Sequence, residues 1–241
     1  IGANMGGMLT PFGNPQNIYL YNYYNIGNGE FIGIMLPAFL CSILLLFAAC
    51  MFVKKEPLTI YTEETAELNT KRLVIYSIAF IIAVLMVIKV INYYVGALIA
   101  CSIILIFDYK SFYGVDYMLL LTFCAFFIFT GNLSRITFIS NFLGNIVQGR
   151  ELIVALLSTQ VICNVPTAIL LSKFTSLYSP ILIAVNIGAL GTIIASLASL
   201  IAFKLYTRNF NESKLKYLGT LFCVNICFLV VLIIVSLIFV L

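Results

Sequence analysis

The chain alternates long apolar runs with short polar interruptions, and the spacing of the two predicts a bundle of membrane helices. A helix needs about 20 apolar residues to cross the hydrocarbon core. Phe31–Val53, Arg72–Ile91 and Leu218–Leu241 have that length, while Tyr93–Phe107 and Tyr117–Thr130 are shorter but equally apolar. Ile1–Tyr24 and Pro180–Phe203 are long enough but carry polar residues and glycines in their interiors, which predicts broken helices. Lys54–Lys71, with Lys54, Lys55, Glu56, Glu63, Glu64, Glu67 and Lys71, reads as an aqueous loop, and Thr207–Lys216 as a second. Asn132–Gly149 is mildly amphipathic and suits the membrane interface. Glu151–Lys173 has two apolar arms, each too short to cross, separated by Thr159-Gln160-Val161-Ile162-Cys163-Asn164-Val165-Pro166-Thr167. This predicts a re-entrant hairpin whose return arm starts at Pro166, where a missing N–H is harmless.

Composition narrows the class. Only 9% of the 241 residues are charged and 63% are hydrophobic, against about 25% charged in soluble domains. An all-α polytopic membrane protein is therefore expected, and a soluble enzyme is excluded. A membrane-embedded enzyme would need a nucleophile, a base or a metal cluster in the bilayer, yet the chain has no His. The seven Cys (41, 50, 101, 124, 163, 223 and 227) show neither zinc-ligand nor disulfide-framework spacing and read as small buried apolar groups. No basic stripe with stacking aromatics points to nucleic acid. The expected partners are the lipid bilayer and a small solute; no cofactor is expected beyond a coupling ion.

Basic residues set the orientation. If the opening segment crosses from side X to side Y, side X collects residues 54, 55, 71, 72, 110, 204, 208, 214 and 216, and side Y keeps Lys89, Arg135, Arg150 and Lys173. The positive-inside rule makes X the cytoplasm. The 54–71 loop is then cytoplasmic, the C-terminus outside, and the membrane the plasma (inner) membrane.

The two polar interruptions repeat one another. Asn4-Met5-Gly6-Gly7-Met8-Leu9-Thr10 and Asn186-Ile187-Gly188-Ala189-Leu190-Gly191-Thr192 share Asn, Gly and Thr at the first, third and seventh positions. In the topology above, the first crosses outward and the second inward. Inverted repeats with broken helices are the architecture of secondary transporters whose site lies at the midplane between the halves. Pro11 and Pro15 forbid a continuous ladder, and Asn14 and Asn17 add further amides. The chain divides into the end of a first repeat (1–53), the loop (54–71) and a second repeat (72–241), the latter with its hairpin near 151–173, broken helix near 180–203 and final span 218–241. No carboxylate, Lys or Arg lies in either interruption. Amides, hydroxyls and backbone dipoles suit a small anion moving with a cation.

These motifs resemble citrate-transporter-like permeases of the ion transporter superfamily, which includes the divalent anion:sodium symporters and the arsenite permeases. The run Asn4–Asn17 resembles their broken helix, Thr159-Gln160 with Cys163-Asn164-Val165-Pro166 their second hairpin, and Asn186–Thr192 the paired broken helix. The resemblance implies cation-coupled, sodium-favoured transport of a citrate-like, dicarboxylate or inorganic anion by an elevator motion in a homodimer. It places Asn164 and Thr167 as tip ligands, and Asn4, Gly6, Thr10, Asn186, Gly188 and Thr192 along the site, with Asn14, Asn17, Thr159, Gln160, Cys163 and Gly191 beside them. Many relatives carry Ser where this chain has Cys163, and related sodium/proton antiporters carry Asp near Asn14. Alternatives within the superfamily are an arsenite-type efflux permease or a sodium/proton antiporter. A further alternative is an inactive half-transporter or assembly subunit. The chain opens on Ile1 directly before its polar motif and is read as an N-terminally truncated piece of a longer protein, without the first hairpin.

Overall fold

The structure, a computed structural model, describes residues 1–52, 70–209 and 214–239. Among these, all regular structure is helical. In chain order the α-helices are α1 (Gly2–Gly6), α2 (Pro15–Tyr23), α3 (Asn28–Met51), α4 (Thr70–Val87), α5 (Tyr93–Asp108), α6 (Tyr117–Leu133), α7 (Thr137–Val147), α8 (Glu151–Ile162), α9 (Asn164–Leu171), α10 (Tyr178–Ile187), α11 (Leu197–Asn209) and α12 (Lys214–Phe239). Four helical stretches are long and apolar enough to span a bilayer: Asn28–Met51, Thr70–Val87, Tyr93–Gly114 and Lys214–Phe239. The pair α6 and α7 bends by 99° at its break. The loop expected over 54–71 lies almost wholly outside the described residues; its last two, Thr70 and Lys71, begin α4.

The chain forms two compact units, Ala49–Leu119 and a larger one from Ile1–Ala48 with Leu120–Leu241. The smaller is built on α4 and α5, folded against each other across a short turn with Lys89 at φ 63°. Asn92 caps α5, accepting from the Tyr94 N–H at 3.0 Å. The far ends are tied by the Tyr76 hydroxyl, which donates to Asp108 at 2.7 Å, and by Arg72, 3.7 Å from the same carboxylate. Leu73, Phe80, Ile81, Leu98 and Ile106 are exposed along these helices. Such faces are tolerable where the solvent is lipid.

The larger unit is centred on α10. Every residue from Ile181 to Ile187 is buried, as a helix apolar on all sides demands. α8, α9, α2 and α12 pack around it. At about 1.5 Å per residue, α8 and α9 are near 18 and 12 Å long, well short of a hydrocarbon core of about 30 Å. They fold back on each other at Cys163, and the far ends meet where Glu151 Oε1 accepts from Thr175 Oγ1 at 3.1 Å and from the Gly149 N–H at 3.2 Å. Glu151 is buried there. Further polar bonds hold the outgoing arm to α2: the Tyr19 hydroxyl lies 2.7 Å from Ser172 Oγ, and the Tyr24 hydroxyl donates to the Thr175 carbonyl at 2.8 Å. Lys173 sits over the Tyr23 ring, 4.6 Å from its centroid.

Replacing Glu151 with Leu leaves Thr175 Oγ1 and the Gly149 N–H without their acceptor, at about 1 kcal/mol per bond. Hydrogen exchange should quicken at Gly149–Glu151 and Thr175–Leu177 and stay slow in α10. Glu151→Gln, which keeps an acceptor oxygen, should restore most of the protection. Unchanged exchange in Glu151→Leu would show that this carboxylate does not close the hairpin base.

Candidate functional site

The first interruption is the non-helical run between α1 and α2. Pro15 occupies the first turn of α2, with Asn14 as its N-cap in extended conformation. The backbone folds so tightly that a Cβ on Gly7 would overlap Asn14 Oδ1, and one on Gly13 would overlap the Gly7 carbonyl. The close approach therefore requires glycine at positions 7 and 13. At Gly6, a Cβ would meet open space.

An interrupted helix frees carbonyls, and a buried carbonyl without a donor is costly. Asn17 answers that cost in the first interruption. Its Nδ2 lies 3.1, 3.4 and 3.2 Å from the carbonyls of Gly7, Met8 and Thr10. Gln160, from the hairpin, does the same for the second. Its Nε2 reaches the Gly188 carbonyl at 2.7 Å and the Leu190 carbonyl at 3.2 Å, while Oε1 accepts from the Thr192 N–H at 2.9 Å. Thr192 Oγ1 completes the clamp by donating to the Gln160 carbonyl at 2.9 Å. Gly191 has φ +124° and lies directly against Gln160 Oε1, so a side chain there is excluded both by conformation and by space.

The two interruptions are joined by the repeated asparagines, each bonding to the other's segment. Asn4 Nδ2 donates to the Ala189 carbonyl at 3.3 Å, and its Oδ1 accepts from Ser196 Oγ at 2.6 Å. Asn186 Nδ2 donates to Asn17 Oδ1 at 2.7 Å and to the Leu182 carbonyl at 2.8 Å. Its Oδ1 accepts from Gln16 Nε2 at 3.2 Å and Asn14 Nδ2 at 3.4 Å. Asn14 Nδ2 also approaches the Asn4 carbonyl at 3.4 Å. All four hydrogen-bonding positions of the Asn186 amide are thus filled by protein. Asn4, Gln16, Asn17 and Asn186 are all buried.

At the hairpin tip, Cys163 adopts φ 70°, ψ 160°, a conformation that costs a non-glycine residue about 1–3 kcal/mol. Thr167 Oγ1 donates to the Cys163 carbonyl at 2.8 Å, and Asn164 Oδ1 accepts from the Val165 N–H at 2.9 Å. The backbone N–H groups of Asn164, Val165 and Leu197 turn toward the Cys163 sulfur. Asn164 and Leu197 begin α9 and α11, so two half-helix N-termini meet at the tip. Pro166 lies in the first turn of α9, where it disturbs no ladder bond. Thr159 is buried, donates to the Ala155 carbonyl at 2.7 Å and packs against Gly188. Thr10 is half-buried and joins the network through its carbonyl.

A half-open cleft of about 540 Å³ runs beside the tip, lined by Pro15, Ile18, Tyr19, Phe127, Val165 and Ile169 among others. It is apolar and flanks the polar cluster rather than containing it.

Sequence reasoning passed over Asn225. It sits within the otherwise apolar α12, is buried, and donates to the Gly191 carbonyl at 3.4 Å. Its Oδ1 is the one buried side-chain polar atom among the described residues that has no hydrogen-bond partner. A lone Asn in a 26-residue apolar helix was the available signal, since such groups are costly in lipid and find polar contacts inside the bundle. Gln16 was visible as part of the first motif, but its bond to Asn186 was not.

Paired broken helices, a short helical hairpin between them and flanking apolar spans define an all-α polytopic membrane protein. A family model for the citrate transporter matches residues 1–176, and the chain belongs to that family. It is similar to the uncharacterized transporter MJ0456 of Methanocaldococcus jannaschii, 36% identical over 91% of this chain and 60% of that protein. It is also similar to the inner membrane protein YbiR of Escherichia coli, 31% identical over 85% of this chain and 56% of that protein. The chain thus spans little more than half the length of these relatives.

Asn186→Ala removes four hydrogen bonds at once and strands the amides of Gln16 and Asn17. At about 1 kcal/mol each, the loss should approach several kcal/mol and lower the melting temperature of the detergent-solubilised protein strongly. Gly191→Ala should destabilise as well, through its φ and its overlap with Gln160, whereas Gly6→Ala should be close to neutral. Equal melting temperatures for the two glycine variants would contradict this geometry.

Proposed function

We propose that the chain is part of a secondary active transporter that moves a small anion, citrate-like, dicarboxylate or inorganic, with a cation, sodium being favoured. The observation that carries this reading is the meeting of the α9 and α11 N-termini at the hairpin tip, in a cluster of amides and hydroxyls. Backbone N–H groups at helix N-termini favour anions, and no Lys or Arg in either interruption supplies the positive charge instead. A co-bound cation offsets part of the cost of taking the anion out of water.

In this reading Asn164 and Thr167 at the tip contact the solute, with the Cys163 backbone. Asn4, Asn17, Gln160 and Asn186 hold the interrupted segments in register. The hairpin is re-entrant, consistent with arms too short to cross. α2, α8, α9 and α10 move as one body in an elevator motion within a homodimer, which their dense mutual packing favours. The 54–71 loop is cytoplasmic and the C-terminus external. An inner-membrane location accords with the name of the Escherichia coli relative, the inner membrane protein YbiR.

The test uses the full-length protein in proteoliposomes. Uptake of labelled citrate, a dicarboxylate or sulfate should follow an imposed sodium gradient. Asn164→Ala and Thr167→Ala should lower uptake by about tenfold or more, equivalent to losing one or two ligand hydrogen bonds, with a smaller fall in melting temperature than Asn186→Ala because the bonds each breaks lie within the tip. Asn186→Ala should lower both. Arsenite extrusion without anion uptake would favour the efflux alternative, and full uptake by the two tip variants would refute the assignment of the tip.

A further inference from the structure

Helix α7 presents three distinct faces. Ile139, Leu143 and the buried Val147 are spaced by four residues and turn toward the protein, where the helix meets α8. A second row, Phe138, Phe142 and Ile146, is exposed, and its two rings are stacked with centroids 6.5 Å apart. A third row at the same spacing, Thr137, Asn141 and Asn145, is also exposed and wholly polar. Rows offset by one residue lie about 100° apart around a helix of 3.6 residues per turn. The helix thus needs protein on one side, hydrocarbon on the second and water on the third.

One environment supplies all three, the boundary between lipid headgroups and acyl chains at the edge of a membrane protein. The 99° bend between α6 and α7 agrees. If α6 runs along the membrane normal, α7 lies in the membrane plane. Arg135 and Arg150 flank α7 at its two ends, both exposed. Neither has an ion-pair partner among the described residues. Two free guanidinium groups at headgroup level match lipid phosphates in charge and in bidentate geometry.

We propose that α7 is an interfacial helix that binds anionic phospholipid, with Phe138, Phe142 and Ile146 in the upper acyl region and Arg135 and Arg150 on the headgroup phosphates. The chain contains no Trp, so a tryptophan introduced here reports the environment of the segment. Phe142→Trp would be placed in the full chain and reconstituted in vesicles of phosphatidylcholine or phosphatidylglycerol carrying bromine at shallow or deep acyl positions. Phe138→Trp gives a second reporter should the first fail to fold. Leu121→Trp, on the exposed face of α6 and about 18 Å along the helix from its end, serves as the deep reference.

The expected result is quenching of Phe142→Trp on the order of twofold stronger by shallow than by deep bromine, with the reverse order for Leu121→Trp. Phosphatidylglycerol should quench it more than phosphatidylcholine. That preference should fall about fivefold for each arginine replaced in Arg135→Gln and Arg150→Gln. Quenching by aqueous iodide instead of brominated lipid, protection from both, equal quenching by the two lipids, or a preference untouched by the arginine changes would each overturn the proposal.

Discussion

Bilayer hydrocarbon offers no hydrogen bonds, and that constraint governs the centre of this molecule. Wherever a membrane helix is interrupted, its freed carbonyls must find donors inside the protein. Here the donors are side-chain amides, and each interruption has its own. Asn17 spans the carbonyls of Gly7, Met8 and Thr10, while Gln160 spans those of Gly188 and Leu190. The paired asparagines Asn4 and Asn186 then exchange bonds between the two segments. Without these four residues the interruptions would leave buried polar backbone unpaired, at about 1–3 kcal/mol for each group. The glycines, the prolines and the packing around α10 make room for this arrangement; the amides make it stable.

Much of this architecture was legible in the sequence because lipid makes polar residues informative. The repeated Asn, Gly and Thr offsets marked both interruptions, Pro11 and Pro15 marked a break in the first helix, and Pro166 marked the return arm, which is α9. Arm lengths alone identified the helical hairpin. What could not be read was the pairing. Nothing in the sequence says that Gln160 faces Gly188 rather than a solute, or that the amide of Asn186 is filled by protein. The first depends on a contact between residues 28 apart, the second on three contacts between residues at least 169 apart. Gly7 shows the same limit: it is adjacent to Gly6 and chemically identical, yet the close approach falls on Gly7 because of where Gly13 and Asn14 fold back.

Asn225 extends the argument to the last helix. It is a third amide directed at the second interruption, and it addresses Gly191, whose neighbours Leu190 and Thr192 are already held by Gln160. Its 3.4 Å bond is the longest of the side-chain bonds to the backbone carbonyls of this segment, and its oxygen has no partner. The second interruption is therefore gripped firmly from the hairpin and loosely from α12. In the first, the freed carbonyls of Gly7, Met8 and Thr10 are held from within, by Asn17 of the same broken helix. The two copies of the repeat are thus similar in sequence and unequal in how they are held.

In the cation-coupled reading proposed above, that inequality ties ion binding to the position of the hairpin. From Asn186 to Thr192 every backbone carbonyl accepts a hydrogen bond: those of Gly188, Ala189, Leu190 and Gly191 accept from side chains, and those of Asn186, Ile187 and Thr192 from backbone N–H groups. A cation that draws on the Gly188 or Leu190 carbonyl must share or displace the Nε2 of Gln160. Gln160 belongs to α8, so an ion bound there competes with a bond that anchors the hairpin to the broken helix. A ligand shifts an equilibrium only by its differential affinity for the two states. An amide that surrenders two carbonyls to an ion in one hairpin position and holds them in another supplies such a difference directly. A carboxylate in its place would attract the ion in both positions and blur the distinction. In the cation-coupled reading proposed above, the neutrality of the site therefore favours an exchange between amide and ion over permanent capture of the ion.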